Sequence, residues 1–128
     1  VQLPLLQHRL GEFQLIPLVV GECSDKWLCN LLRPLVNDQT LLVISSDLSH
    51  YLSYQEARYR DGMTLGQIMA LEPELRPEQA CGSYAINGAL RLAQKFGWRP
   101  RLLGQHNSGD VSGEKLKVVG YAAIAFYD

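Results

Sequence analysis

Residues 41–44, Leu-Leu-Val-Ile, form an unbroken apolar run that stops at once in Ser45, Ser46, Asp47, Ser49 and His50. Such a run predicts a strand over 40–46 that is buried on both faces. Residues 13–20, Phe-Gln-Leu-Ile-Pro-Leu-Val-Val, predict a second strand, ended by Gly21. Pro17 cannot donate to a ladder, which assigns that strand to an edge or a bulge. Between the two, Ser24 can cap a helix that carries Trp27, Leu28, Leu31, Leu32 and Leu35 on one face, and Pro34 should kink or end it. The β-α-β order predicts a right-handed parallel crossover.

Further along, Ser53 and Glu56 fit a capping box, and Thr64 with Gln67 fits a second. Residues 54–71 therefore read as two short helices broken at Asp61-Gly62. Pro73 and Pro77 bracket a loop. Ala85, Gly88, Ala89, Leu92 and Phe96 line one face of another helix, which Gly97 ends at C′. Two strands, about 100–106 and 116–127, close the chain around a turn-rich loop, 106–113, in which Gly109 is expected at positive φ. The pattern as a whole predicts an α/β fold, a three-layer domain with a mixed, mostly parallel sheet.

At 128 residues the chain is long enough for one core and one domain. It is 47% hydrophobic and 20% charged, within the range of globular proteins, with a formal net charge of −1. Both signs are scattered, so nothing in the charge pattern points to nucleic acid or to a membrane surface. No apolar run approaches the roughly 20 residues of a spanning helix. Cys23, Cys29 and Cys81 share no metal-type spacing, which favours reduced thiols and a cytoplasmic setting. The opening Val1-Gln2-Leu3-Pro4 lacks a starting methionine, and the chain is read as one domain truncated at its amino terminus.

Open α/β sheets gather their chemistry just beyond the carboxyl ends of buried strands, which singles out Asp47 and His50. Three residues apart in a turn, the two side chains can reach one point. There they can bind a metal, or the carboxylate can orient the imidazole as a general base. The structural alternative is that Asp47 or Ser49 caps the next helix and His50 is a satisfied, partly buried residue. His106 and Asp110 form a second candidate pair, with plain turn chemistry as the alternative. Cys81 precedes a helix, where the dipole can activate a thiol, although an inert buried cysteine is the favoured reading of the position. His8, beside Arg9, reads as a surface residue. Tyr51, Tyr54 and Tyr59 can wall a pocket near His50 or simply pack in the core. There is no glycine-rich phosphate loop and no Gly-x-Ser-x-Gly elbow, which argues against nucleotide binding and serine hydrolysis.

Several blocks together resemble one family. They are Gln2-Leu-Pro-Leu-Leu-Gln7, Ile16-Pro-Leu-Val-Val-Gly21, Ser45-Ser-Asp-Leu-Ser-His50-Tyr51, Cys81-Gly82, Asn107-Ser-Gly-Asp110 and Val119-Gly-Tyr-Ala-Ala123. In this order they resemble the Memo family, and within it the members called AmmeMemoRadiSam system protein B. The resemblance implies a fold like class III extradiol dioxygenases, with a non-haem iron pocket at the strand ends, of which this chain is the carboxyl-terminal part. Asp47 and His50 would be catalytic and metal-binding residues. Animal members carry a cysteine near Asp110-Val111, so here Asp110 would be a hard oxygen ligand that favours iron. The implied chemistry is redox conversion of a small molecule; the alternative is a non-enzymatic module that holds a peptide or protein in the same cleft. A cofactorless hydrolase or lyase using Asp47 and His50 as base is a third reading. The resemblance also implies a radical SAM protein and an Amme-type domain as partners. An uncovered sheet edge would promote homo-oligomers.

Overall fold

The computed structural model describes all 128 residues. In chain order the elements are α1 (Leu3–Leu10), α2 (Asp25–Leu32) with a 3-10 turn at Arg33–Leu35, β1 (His50–Leu52), α3 (Tyr54–Met69), α4 (Ser83–Phe96), β2 (Arg99–Asn107), α5 (Gly109–Ser112) and β3 (Val118–Tyr127). The fold is mixed α/β.

Where a local signal sets an element, the expectation is met. The Ser24 hydroxyl accepts the Trp27 N–H at the head of α2, and the Ser53 hydroxyl accepts the Glu56 N–H at the head of α3. Pro34 ends the regular helix in a 3-10 turn. α4 stops at Gly97, whose left-handed backbone (φ 71) lets its N–H return to the Ala93 carbonyl.

The sheet differs from the expected one. Its strand order is β1-β3-β2 and both pairings are antiparallel. Residues 13–20 and 40–46 join no ladder, so the parallel crossover is not formed. The apolar run at 41–44 alternates between exposed and half-buried positions instead of being buried on both faces. A strand exists only through its partner, and neither segment has one within these residues. α3 is one continuous helix, not two. The Thr64 hydroxyl donates back to the Arg60 carbonyl, the bond of a residue inside a helix rather than at its start. In the loop after β2, Gly109 opens α5, and it is Gly113 that takes the positive φ, 78°.

Two apolar clusters hold these elements together. Leu48, Leu65, Ile68, Leu75, Ala80 and Leu90 tie α3, α4 and the intervening loop to Ala122, Ile124 and Phe126 of β3. Leu28, Cys29, Leu32 and Leu92 join α2 to α4, with Val20, Leu42 and Trp98 at the margin. The close approach of α2 and α4 needs Gly88, because a Cβ there would meet the Leu28 side chain at 2.6 Å. A salt bridge adds to the same contact, Arg91 Nη2 to Asp25 Oδ2 at 2.5 Å. Burial alone would raise the Asp25 pKa, but the hydrogen bonds from Arg91 and from the Lys26 amide outweigh it and hold the carboxyl below its ordinary value.

An apolar trough of about 920 Å³ runs beside β3, walled by Leu41–Ile44, Ile86, Trp98 and Ile124 among others. The α2–α4 contact yields a prediction. Gly88→Ala should destabilise the chain by about 1–3 kcal/mol through overpacking, and Leu28→Ala by about 2–5 kcal/mol. The double variant should lose clearly less than the sum. Additive urea-unfolding energies would show that Leu28 does not press on Gly88.

Candidate metal centre

β1 is short because the strand that carries His50 is bent. Leu48 N–H donates to the Gly120 carbonyl and Gly120 N–H returns to the Ser49 carbonyl, each at 2.9 Å. The register then shifts between His50 and Leu52, across from Val119 and Val118. Tyr51, between them, takes φ 59, a left-handed backbone for a bulky residue. Such bulges re-aim a side chain, and strained residues gather where geometry matters more than local comfort.

Under this bend lies Asp61, only 2% exposed, on α3. Its Oδ1 accepts the Ser49 N–H at 2.9 Å. Gly120 lies directly over the same carboxylate, so a Cβ at Gly120 would collide with the Asp61 side chain. The backbone at 48–49 is thus fixed from two sides, by Gly120 along the sheet and by Asp61 from the helix. The sequence reading took Asp61-Gly62 as a helix break and missed this role. A carboxylate beside small residues in an amphipathic helix carries no local mark of the amide it will meet.

On this support His50 and Asp47 come together, with Nε2 and Oδ2 3.5 Å apart and the side chains 33% and 47% exposed. A third group joins them from a distant part of the chain. The Cys81 sulfur accepts the Asp47 N–H at 3.2 Å, and Gly82 N–H, at the start of α4, donates to the Ser46 hydroxyl at 2.8 Å. That hydroxyl donates in turn to the Asp47 carbonyl at 2.7 Å. One ligand atom each of Asp47, His50 and Cys81 lies within 4.8 Å of the others. Cys81 is exposed rather than buried, and the sequence, which offered it as a thiol ahead of a helix and as part of a family-like block, did not join it to Asp47 and His50.

Tyr51 stands beside the imidazole with ring centroids 5.9 Å apart, and its side chain is exposed. Tyr59 is 72% exposed and serves neither pocket nor core, and His8 is exposed in α1. Asp110 is not in the trio. Its Oδ1 accepts the Tyr54 hydroxyl at 2.6 Å and its Oδ2 accepts the Asn107 N–H at 2.9 Å. His106 Nδ1 lies 3.6 Å from the same Oδ2.

Imidazole, carboxylate and thiolate form a mixed donor set suited to a first-row transition metal rather than to Mg²⁺ or Ca²⁺. The three groups are half-buried or exposed and converge at the start of β1. The family model described as "Memo-like protein" matches residues 1–125. The chain belongs to the Memo family. It is 36% identical to a "MEMO1 family protein" of Aeropyrum pernix over 97% of this chain and 49% of that protein. A protein of the same description from Methanosarcina acetivorans is 37% identical over 97% of this chain and 52% of its own length. One from Sulfolobus acidocaldarius is 33% identical over 100% and 50%. The chain thus spans about half the length of the curated relatives it matches.

Two predictions follow from how this Memo-family chain holds its site. Asp61→Ala leaves the buried Ser49 amide unsatisfied and should cost about 1–3 kcal/mol, with broadened His50 ring signals in NMR spectra. Asp61→Asn keeps an acceptor and should lose under half as much. Equal losses would show that the carboxylate does not act through that bond.

The second prediction concerns Tyr54 and Asp110. The Tyr54 hydroxyl and then the Asn107 amide hold the Asp110 carboxyl below 3.8, while Asp110, by accepting that hydroxyl's bond, raises the Tyr54 phenol above 10.0. A lowered acid contributes stability above its unfolded pKa and loses it as pH falls through the folded value. A raised phenol contributes below its unfolded pKa and loses it as pH rises through the folded value. The melting-temperature gap between the parent chain and Tyr54→Phe should therefore be flat from about pH 5 to 9 and close on either side. A gap that changes steadily across neutral pH would contradict this.

Proposed function

We propose that this chain provides a transition-metal pocket to a Memo-family protein, with His50, Asp47 and Cys81 as ligands. The convergence of these three donors from two segments separated in sequence supports the reading most. Three protein ligands with open positions match the facial triad of non-haem iron sites in number, with Cys81 in place of a second histidine. Asp110, with each oxygen already engaged by Tyr54 or Asn107, is left out of the proposed ligand set.

Iron bound here would supply redox and Lewis-acid chemistry to a small-molecule substrate, as the likeness to class III extradiol dioxygenases implies. The residues themselves have definable tasks. Asp47 lies beside Nε2 of His50, and a carboxylate at that place would help to fix the orientation of the ring in the pocket. The Ser46 hydroxyl fastens the start of α4, and Cys81 with it, to the Asp47 turn.

The larger sheet is also part of the proposal. Residues 13–20 and 41–46 lack strand partners, and the relatives are about twice as long. Both facts support a part of a longer fold whose sheet these segments would join; that it is the carboxyl-terminal part, and that the completed sheet is three-layered and mostly parallel, rests on the sequence resemblance. The three cysteines are free thiols, which suits a reducing, cytoplasmic setting. No helix is long and apolar enough to cross a membrane. Association with a radical SAM protein and an Amme-type domain rests on the sequence resemblance alone.

A second reading has one observation in its favour. The apolar trough reaches Ser46, beside the donor trio, and suits a peptide or partner segment held without chemistry.

Anaerobic titration with Co²⁺ or Fe²⁺ separates the two readings. Co²⁺ should give a thiolate charge-transfer band that Cys81→Ser abolishes, and His50→Ala should weaken binding by about tenfold or more. Affinity indifferent to His50, Asp47 and Cys81 would overturn the metal reading and leave the interaction module.

A further inference from the structure

A recess of about 220 Å³, with almost entirely polar walls, lies where the first turns of α3 meet the end of β2. Its lining is Tyr54 and Arg58 from α3, then Gln105, His106, Asn107 and Asp110. We propose that this recess binds a small oxyanion, a phosphate or short carboxylate, through Arg58 and His106.

Asp110 is the only acid in the recess, and its oxygens accept from Tyr54 and from the Asn107 amide, with His106 Nδ1 nearby. Lys115 adds a positive charge at the edge, its ammonium 3.6 Å from the centre of the Tyr54 ring and donating to the Gly109 carbonyl. No carboxylate lies within 4.0 Å of Arg58 or Lys115, since the ion pairs of the chain involve His50, Arg60, Arg91 and His106. Arg58 reaches over the Tyr54 ring, its guanidinium carbon 5.9 Å from the centroid. Two cations and one acid with both oxygens engaged leave a net positive recess whose spare groups are mainly donors.

The complement of such a recess is an acceptor-rich anion. A guanidinium fork matches the paired oxygens of carboxylate or phosphate, and the imidazole supplies a further donor. The volume falls below the 300–1,000 Å³ typical of drug-sized ligands, which limits the occupant to a small anion or to the charged end of a larger one. Tyr54 is central to the arrangement: its hydroxyl bonds Asp110 and its ring carries Arg58. This inference does not depend on the metal reading, because none of Asp47, His50 or Cys81 lines the recess.

The test is NMR titration of the 128-residue chain with inorganic phosphate and, separately, with succinate, at ionic strength fixed with chloride. The Arg58 side-chain N–H and the His106 ring should shift saturably with at least one of them. Saturation by phosphate alone assigns a phosphoryl group, and by succinate alone a carboxylate. Arg58→Gln should weaken binding by about tenfold, with His106→Gln smaller in effect. Thermal unfolding would confirm that both variants fold; should Arg58→Gln fail to fold, Arg58→Lys serves, since it keeps the charge but loses the fork. Shifts that grow linearly like those from chloride, or binding unchanged in the Arg58 variants, would overturn the proposal.

Discussion

The candidate centre depends on one buried hydrogen bond, from the Ser49 amide to the Asp61 carboxylate. Chain entropy opposes holding an exposed turn in one geometry, and the fixing of each residue's backbone costs on the order of 1–2 kcal/mol. The turn at Asp47–His50 overcomes this because the two residues before His50 are held on two sides. Gly120 supplies both ladder bonds from β3, and Asp61 supplies an acceptor from α3. Gly120 can do so only because it has no side chain where the Asp61 carboxylate sits. A strand, a helix and a missing methyl group therefore act as one joint, and His50 emerges from it through a bulge.

That joint explains why some of the structure was legible in the sequence and some was not. Ser24, Ser53 and Gly97 act within a few residues of themselves, and each performs the task its chemistry announces. The periodicity of α4 is equally local. Asp61-Gly62, in contrast, has the composition of a helix break and sits inside a helix. Tertiary bonds there outweigh propensity differences of about 1 kcal/mol. The two apolar segments at 13–20 and 40–46 read as strands because they are rich in branched residues, but pairing is a property of the partner, not of the segment. The candidate site divides along the same line. Asp47 and His50 are close in sequence and were found together. Cys81 arrives from a loop across the core, brought there by the Ser46–Gly82 contact and by the Asp47 N–H bond to its sulfur.

The two pairs of histidine and carboxylate show how context separates similar motifs. Asp47-x-x-His50 and His106-x-x-x-Asp110 both bring a ring nitrogen within 3.6 Å of a carboxylate oxygen. Asp110 has both oxygens engaged, by a phenol and a backbone amide, so it orders its own loop. Asp47 contributes its backbone N–H to a sulfur while its carboxylate has only the imidazole as an ion-pair partner. A group whose acceptors are already occupied gains little from a metal and would lose bonds by turning to one. A group with free lone pairs beside an imidazole and a thiol gains the coordination outright.

The same reasoning bears on the division of labour across the sheet. β3 pairs with β1 at Val118–Val119 and with β2 along nearly its whole length, so His50 and His106 are carried by neighbours of one strand. Gly120 lies opposite Asn107 on one side and bonds to Leu48 and Ser49 on the other. A shift of β3 along its axis would therefore move the supports of both recesses together. Sheet register changes in steps that turn each side chain to the opposite face, so small displacements are resisted. The two candidate sites can thus keep a fixed spacing on a three-stranded sheet, even though Asp47 and Cys81 come from loops. Residues on a rigid element hold geometry better than residues on loops alone, and here the rigid element is the central strand that neither set of side chains occupies.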